Sequence, residues 1–206
     1  MRALAIIGAS GHGKVVADAA LSSGVWTKIE FYDDAWPDKA HNGQSDVVGD
    51  TERLLNLNKK PDVVVAIGNN STRLSKQKEL AGRGFNIATV IHSAAIISPS
   101  AIIKRGTVIM AGAVVNADAK IGEACIVNSN AVIEHDCVLA DAVHISPAAS
   151  LAGGVFVDDG SWIGIGAVVI QLKNIGKNVM VGAGAAVVND LPDHVTAVGV
   201  PAKIIK

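Results

Sequence analysis

The sequence predicts two folds in one chain of 206 residues. Residues 1–90 read as an α/β, Rossmann-like half-domain, and residues 91–206 as a parallel β-helix of six-residue steps. Three observations predict this. Short apolar runs alternate with helical patterns through the first ninety residues, as in a parallel sheet wound by helices. Every sixth residue from Ile91 to Val187 is aliphatic. The chain is 50% apolar yet only 3% aromatic, so Ile, Val, Leu and Ala must fill a core made of many equivalent layers.

"RALAIIGASGHGKVVADAALSSG" opens with a strand (Ala3 to Ile7), passes through a glycine loop and continues as a helix through Leu21. A second strand, "KIEFYDD", ends at Asp33 and Asp34, and "TERLLNL" is a helix capped by Asp50 or Thr51. "PDVVVAIGNN" is a third buried strand, "STRLSKQKELAGRG" a polar-faced helix, and "NIATVI" closes the series. The loop Gly8-Ala-Ser-Gly11-His-Gly13 lies between strand and helix. Glycines there let backbone N–H groups approach a phosphate at the positive end of the helix. Asp33 and Asp34 follow about 20 residues on, where an acid commonly meets a ribose hydroxyl. The spacing is GxxGxG rather than GxGxxG, which favours a mononucleotide or nucleotide sugar over NAD. The alternative is a glycine-rich turn that merely packs a helix on its strand.

From residue 91 the period of six fits neither a helix at 3.6 nor a flat strand at 2. Stacked hexapeptide turns explain it, because each layer must bury its apolar edge against the next. Four residues after each anchor comes a mostly small residue, among them Ala113, Ala119, Cys125, Ala131 and Cys137. Both cysteines thus fill small inward slots and form no disulfide framework or metal pair. At "VVIQLKNIG" Lys173 takes the small slot, which predicts a distorted corner. After Val187 the repeat gives way to a C-terminal cap.

Charge and hydropathy exclude several classes. With 18 basic and 19 acidic side chains, and no long run of either sign, the chain lacks the basic face of a nucleic-acid binder. No stretch approaches the ~18 continuous apolar residues of a membrane span, and the N-terminal run is too short for a signal peptide. A cytoplasmic protein is expected.

His135, two residues after Ile133, falls at an outward corner with Asp136 beside it; His144 directly precedes Ile145 and points away from the core. Both are expected to be exposed. An imidazole titrates close enough to neutrality to take a proton from an attacking amine or hydroxyl, and a neighbouring carboxylate can orient it.

The hexapeptide repeat with the ending Gly199-Val-Pro-Ala-Lys203 resembles the left-handed β-helix acyltransferases. The order "GASGHG", "FYDD", "AIGNN", "IEHD" narrows this. Together these motifs resemble the bacterial sugar acetyltransferases that include the UDP-amino-sugar N-acetyltransferase of bacillosamine synthesis and the sialic acid O-acetyltransferases. The resemblance implies a left-handed β-helix with three hexapeptides per coil, and a homotrimer with acetyl-CoA bound between subunits. It implies His135 as general base, Asp136 as the carboxylate that sharpens it, and His144 at the acetyl-CoA. The coenzyme would also run past Gly153, Ile165, Gly182 and Ala183, without a metal. Ser10, Gly11, His12, Asp33, Asp34 and Gly68 would hold a UDP-linked amino-dideoxy sugar for acetylation at its 4-amino group. Where relatives carry a "VLPN"-like turn this chain reads "VIQLKN", a departure at Gln171 and Lys173.

His135 and His144 are nine residues apart, half of such a coil, and one triangular side measures roughly 15–20 Å at ~3.3 Å per residue. If both serve one site, two subunits must share it. The Gly153-Gly154 backbone is a candidate source of N–H donors to the thioester oxyanion. Three rivals stand beside this reading. A sugar O-acetyltransferase would use the same base. A zinc carbonic anhydrase on such a scaffold needs three histidine ligands, and the repeat adds only His92. A non-catalytic nucleotide-sugar-binding trimer would need no base at all.

Overall fold

The structure, a computed structural model, describes residues 2–43 and 45–206. The chain separates into two compact units, Met1–Ser93 and Ala94–Lys206.

In the first unit β1 (Ala3–Ile7), α1 (Gly11–Ser22) and β2 (Lys28–Tyr32) follow as the periodicity predicts. A hairpin of β3 (His41–Asn42) and β4 (Ser45–Gly49) comes next, then α2 (Thr51–Leu55), β5 (Asp62–Val65), α3 (Asn70–Gly82) and β6 (Asn86–Ile87). The sheet order is β3-β4-β2-β1-β5-β6, parallel throughout except for the β3–β4 pair. Ala5, Ile7, Val63 and Val65 of the central strands pack with Tyr32, Leu54, Leu80 and Phe85 in one core. Two helix starts are capped by the side chains that precede them. Asp50 accepts the Arg53 N–H at 2.8 Å and Asn69 accepts the Thr72 N–H at 2.9 Å. The β3–β4 hairpin is not among the elements expected from the sequence; Gly43, next to the paired Asn42, takes the positive φ, +66°, that tight hairpin turns need.

The second unit is a left-handed parallel β-helix, and its two-residue strands fall on three sheets. Strands Val108–Ile109, Ile126–Val127, His144–Ile145, Trp162–Ile163 and Met180–Val181 stack on one face. Ile96–Ile97, Val114–Val115, Val132–Ile133, Ser150–Leu151, Val168–Val169 and Ala186–Val187 form the second. Ile102–Ile103 through Asn174–Ile175 form the third. Partners in these ladders are 18 residues apart, so one coil is three hexapeptides. The anchors Ile109 through Val187 are all buried. Ile91, Ile97 and Ile103 are only half-buried, because no coil precedes theirs.

At each corner from Gly106 to Gly184 the second turn residue adopts positive φ, whether glycine (Gly112, Gly154, Gly166) or not (Asp118, Ala124, Asn130, Asp136, Leu172). The small slots do more than save space. Cys125 and Cys137 point their thiols at the carbonyls of Ala140 and Ala152, at 3.1 and 3.2 Å. Thr107 and Ser161 hydroxyls donate to Gly122 and Gly176 at 2.7 and 2.6 Å.

The corner at Lys173 is not distorted. Leu172 keeps the turn at φ 58°, and the Lys173 carbonyl accepts the Phe156 N–H at 2.9 Å in the ordinary ladder. A half-buried lysine fits there because a long apolar stem can fill an inward slot while its ammonium reaches water. Beyond Val187 the last coil shortens: Thr196 pairs with Met180, and Lys203–Ile204 folds back antiparallel on Thr196–Val198. Among the described residues no helix is long and apolar enough to cross a membrane.

Candidate active site

Because residues 18 apart stack, the corner after Val132–Ile133 forms a column of Ala117, His135, Gly153 and Gln171. Backbone bonds tie it together: Asp136 N–H donates to Ala117 at 3.0 Å, Gly154 N–H to His135 at 2.9 Å and Leu172 N–H to Gly153 at 3.0 Å. The His135 side chain is 63% exposed. Asp136 sits at the positive-φ position, φ 60°, which Asp tolerates better than most residues. Its carboxylate Oδ2 lies 2.8 Å from His135 Nδ1. That bond places the ring proton on Nδ1 and leaves the Nε2 lone pair for an incoming proton. The hydrogen bond to Asp136 raises the His135 pKa above its ordinary value; desolvation opposes this, and the charges of Asp136 and Glu134 add to it.

Gly153 leaves the space in which the imidazole lies. A Cβ there would stand 2.6 Å from both Cε1 and Nε2 of His135, so the imidazole rests against the next coil only because residue 153 has no side chain. The Gly154 N–H is engaged by the His135 carbonyl, which removes that half of the Gly153-Gly154 pair as an oxyanion donor.

His144 departs from expectation. Although it faces away from the core, it is only 8% exposed. Outward side chains on successive coils are about 4.8 Å apart, and the ring of Trp162, one coil on, stacks over it at 4.6 Å with 29° between planes. Trp162 is itself held by its indole N–H to Ser146 Oγ, 2.6 Å. Asn128 Nδ2 lies 3.3 Å from His144 Nε2. Nothing in the repeat signalled this cover, since Trp162 takes an ordinary outward slot.

The remaining residues implied for the coenzyme divide between corners. Ile165, exposed after Trp162–Ile163, stacks with Ala183 one coil on, and the Gly184 N–H donates to the Ile165 carbonyl at 2.8 Å. Gly182 precedes Ala183 and is half-buried. Gly153 lies with His135 at the next corner. Between the two corners runs the second face, whose groove of about 330 Å³ is lined by Val132, Glu134, Ser150, Ala152, Val168, Ile170 and Gln171.

In the first unit a cavity of about 270 Å³ at the carboxyl ends of β1, β2 and β5 is lined by Gly8, Ser10, Asp33, Asp34, Ala66, Ile67 and Gly68. Four sequence-predicted residues, Ser10, Asp33, Asp34 and Gly68, therefore converge. Gly11 and His12 open α1 beside Ser10. Ser10 is the N-cap of that helix but forms no side-chain cap, and the first turn carries no acid, which suits an anion at this helix start.

The two acids differ. Asp33 Oδ2 accepts the Ala9 N–H at 2.7 Å and approaches Lys39 Nζ at 3.3 Å, while Oδ1 accepts the Ala35 N–H at 3.1 Å. Burial opposes its ionisation, but these donors prevail and hold its pKa low. Asp34 is more exposed. Its bonding to Thr51 at the start of α2 lowers its pKa despite partial burial. His12 is turned inward: burial, and then the Arg73 cation, push its pKa down to about 4, so it is neutral near pH 7. Its interior Nε2 makes no hydrogen bond.

Among the described residues no group of three or more His, Cys, Asp or Glu is gathered to hold a metal ion.

Comparison with known proteins agrees with this geometry. Residues 3–80 match the PglD N-terminal domain family. UDP-N-acetylbacillosamine N-acetyltransferase of Bacillus subtilis is 42% identical over 114 residues, 50% of this chain and 49% of that protein. The first curated relatives match over shorter stretches, about a quarter of their length. Solved structures align over nearly the whole chain. The acetyltransferase domain of PglB from Neisseria gonorrhoeae, in complex with acetyl coenzyme A, is 43% identical over 99% of both chains with a TM-score of 0.95. PerB from Caulobacter crescentus, in complex with CoA and GDP-perosamine, is 41% identical over 100% of this chain and 98% of that one, TM-score 0.94. The chain belongs to the family of β-helical sugar acetyltransferases that includes the PglB acetyltransferase domain and PerB.

Proposed function

We propose that this protein transfers the acetyl group of acetyl-CoA to the 4-amino group of a UDP-linked amino-dideoxy sugar, with His135 as general base. The observation that carries this is the corner itself. An exposed imidazole has Nδ1 fixed by Asp136 and Nε2 unblocked, and the chain belongs to an acetyltransferase family. The acceptor amine must lose a proton as it attacks the thioester carbonyl. The C–N bond forms, the C–S bond breaks, and the sulfur leaves as the thiol of CoA. His135 Nε2 takes the amine proton and can return one to the departing sulfur. The cavity at Ser10, Asp34 and Gly68 would hold the nucleotide end, with the diphosphate at the start of α1.

Coupling acetyl-CoA with a panel of UDP- and GDP-linked 4-amino-4,6-dideoxy sugars, and sialic acid as a hydroxyl acceptor, tests the substrate. Thiol release should be fastest with a UDP-linked amine. Preference for a GDP-linked sugar or a hydroxyl would reject the acceptor while leaving the chemistry intact.

The acyl donor would lie between two copies of the chain in a homotrimer. His135 and Gly153 stand at one corner, Ile165 and Ala183 at another, and His144 on a separate face. Mixing His135→Ala and His144→Ala protein under subunit exchange should regenerate part of the lost activity, and a mixture as inactive as its parents would reject a shared site.

The raised His135 pKa sets a pH dependence. The base works only when deprotonated, so kcat/KM should climb with pH through a value above the ordinary imidazole range. Asp136→Asn removes the largest cause of the shift. The acid limb should then move to lower pH, with a lower plateau. A limb that stays in place would disconnect it from this pair.

A further inference from the structure

The loops lining the cavity of the first unit are held from behind by two buried polar side chains that do not themselves line it. Asn42, on the edge hairpin, is 6% exposed, and its Nδ2 donates to the Ser10 carbonyl at 3.3 Å. That carbonyl also accepts the first helical bond of α1, from Lys14 N–H at 3.2 Å. Asn42 thus fixes the residue at which the glycine loop becomes a helix. A buried amide needs such a partner, so its orientation is set by this bond.

Arg73 of α3 is only 1% exposed. One guanidinium nitrogen, Nη1, donates to the successive carbonyls of Ile67 and Gly68, both at 3.0 Å, and Nη2 donates to Asn70 Oδ1 at 2.8 Å. Burying a cation is costly unless it is closely bonded, and a planar fork reaches the two carbonyls from Nη1 and the Asn70 amide oxygen from Nη2, which the single nitrogen of an ammonium does not reproduce. The loop leading into α3 is thereby fixed at Gly68, opposite the glycine loop. Further constraints act on the glycine loop. Asp33 holds the Ala9 N–H, and a Cβ at Gly13 would collide with the Gly8 carbonyl.

We propose that Asn42 and Arg73 are positioning residues for the nucleotide end of the substrate, each fixing one of the two loops between which it binds. The inference rests on the nucleotide-sugar reading of this cavity. Backbone N–H groups recognise a diphosphate well only when their directions are set before binding, because ordering a slack loop subtracts from affinity.

Calorimetric titration of UDP and GDP into the full chain tests this, with CoA titrated into the same preparations. Asn42→Asp keeps the side-chain size but sets an oxygen against the Ser10 carbonyl. It should weaken nucleotide binding by about tenfold. The KM for the nucleotide sugar should rise similarly, while kcat and CoA affinity are kept. Arg73→Lys retains the charge but loses the fork, and should move nucleotide affinity in the same direction. If that variant does not fold, Asn42→Asp decides.

Wild-type nucleotide affinity in Asn42→Asp would overturn the inference alone, provided Asp34→Asn still weakens binding. Equal losses for nucleotide and CoA would also overturn it, as a general effect on folding. A wild-type chain that binds neither UDP nor GDP would remove the cavity reading and the inference together.

Discussion

His135→Asn is expected to lower kcat by about 10²–10⁴, the usual contribution of a positioned general base, with affinities for CoA and the nucleotide close to wild type. The argument is geometric before it is chemical. His135 is exposed and makes no core contact that its loss would empty, and the first turn position it holds accepts other polar residues elsewhere on the helix, Ser129, Asp141 and Gln171 among them. The melting temperature should therefore barely move. Only proton transfer is lost, since an amide has no basic lone pair near neutral pH. Asp136→Asn should cost less, because the ring remains and only its orientation and raised pKa go. Steady-state kinetics with thiol detection measure both, and turnover by His135→Asn at the wild-type rate would exclude His135 as the base.

Much of the fold was legible because the β-helix repeats one packing problem. Each anchor from Ile109 to Val187 faces the same three-sided core, so a period in the sequence translates directly into burial. Lys173 was misread for the opposite reason. A slot defined by size was judged by residue type, although a flexible stem satisfies it without disturbing the ladder. His144 was placed on the correct face, but its exposure was misjudged. Cover came from Trp162, 18 residues away, and adjacency across coils is a tertiary fact that only the register exposes. In the first unit, alternation and caps located the main helices and strands. Asn42 and Arg73 carry no local sequence signal: one lies on a short edge strand, where the hydrophobic pattern is weak. The other looks from the sequence like any solvated arginine on a polar helix. What fixes their importance is burial, which local sequence does not encode for polar residues.

Gly153→Ala should be nearly as damaging to turnover as loss of the imidazole's orientation, about 10²-fold in kcat, although the substitution adds one methyl group on a different coil. Its Cβ would enter at 2.6 Å from Cε1 and Nε2 of His135. Something must give, and the candidates are unequal. Gly153 is bound into the ladder through Leu172 N–H, and Gly154 through the His135 carbonyl, so the coil backbone resists displacement. The imidazole is the exposed end of a side chain and turns more easily. Turning it breaks the 2.8 Å bond to Asp136, which both orients Nε2 and raises the pKa. Two signatures follow from one cause. Activity falls, and the His135 titration, followed by its ring proton resonances, shifts down toward the ordinary histidine value. The same methyl introduced into a His135→Ala background should do no further harm to turnover, because there is no ring left to displace and the two effects share one interaction. A Gly153→Ala protein that keeps both wild-type kcat and the elevated His135 pKa would show that the ring does not need this gap, and the corner would lose its claim to a preorganised base.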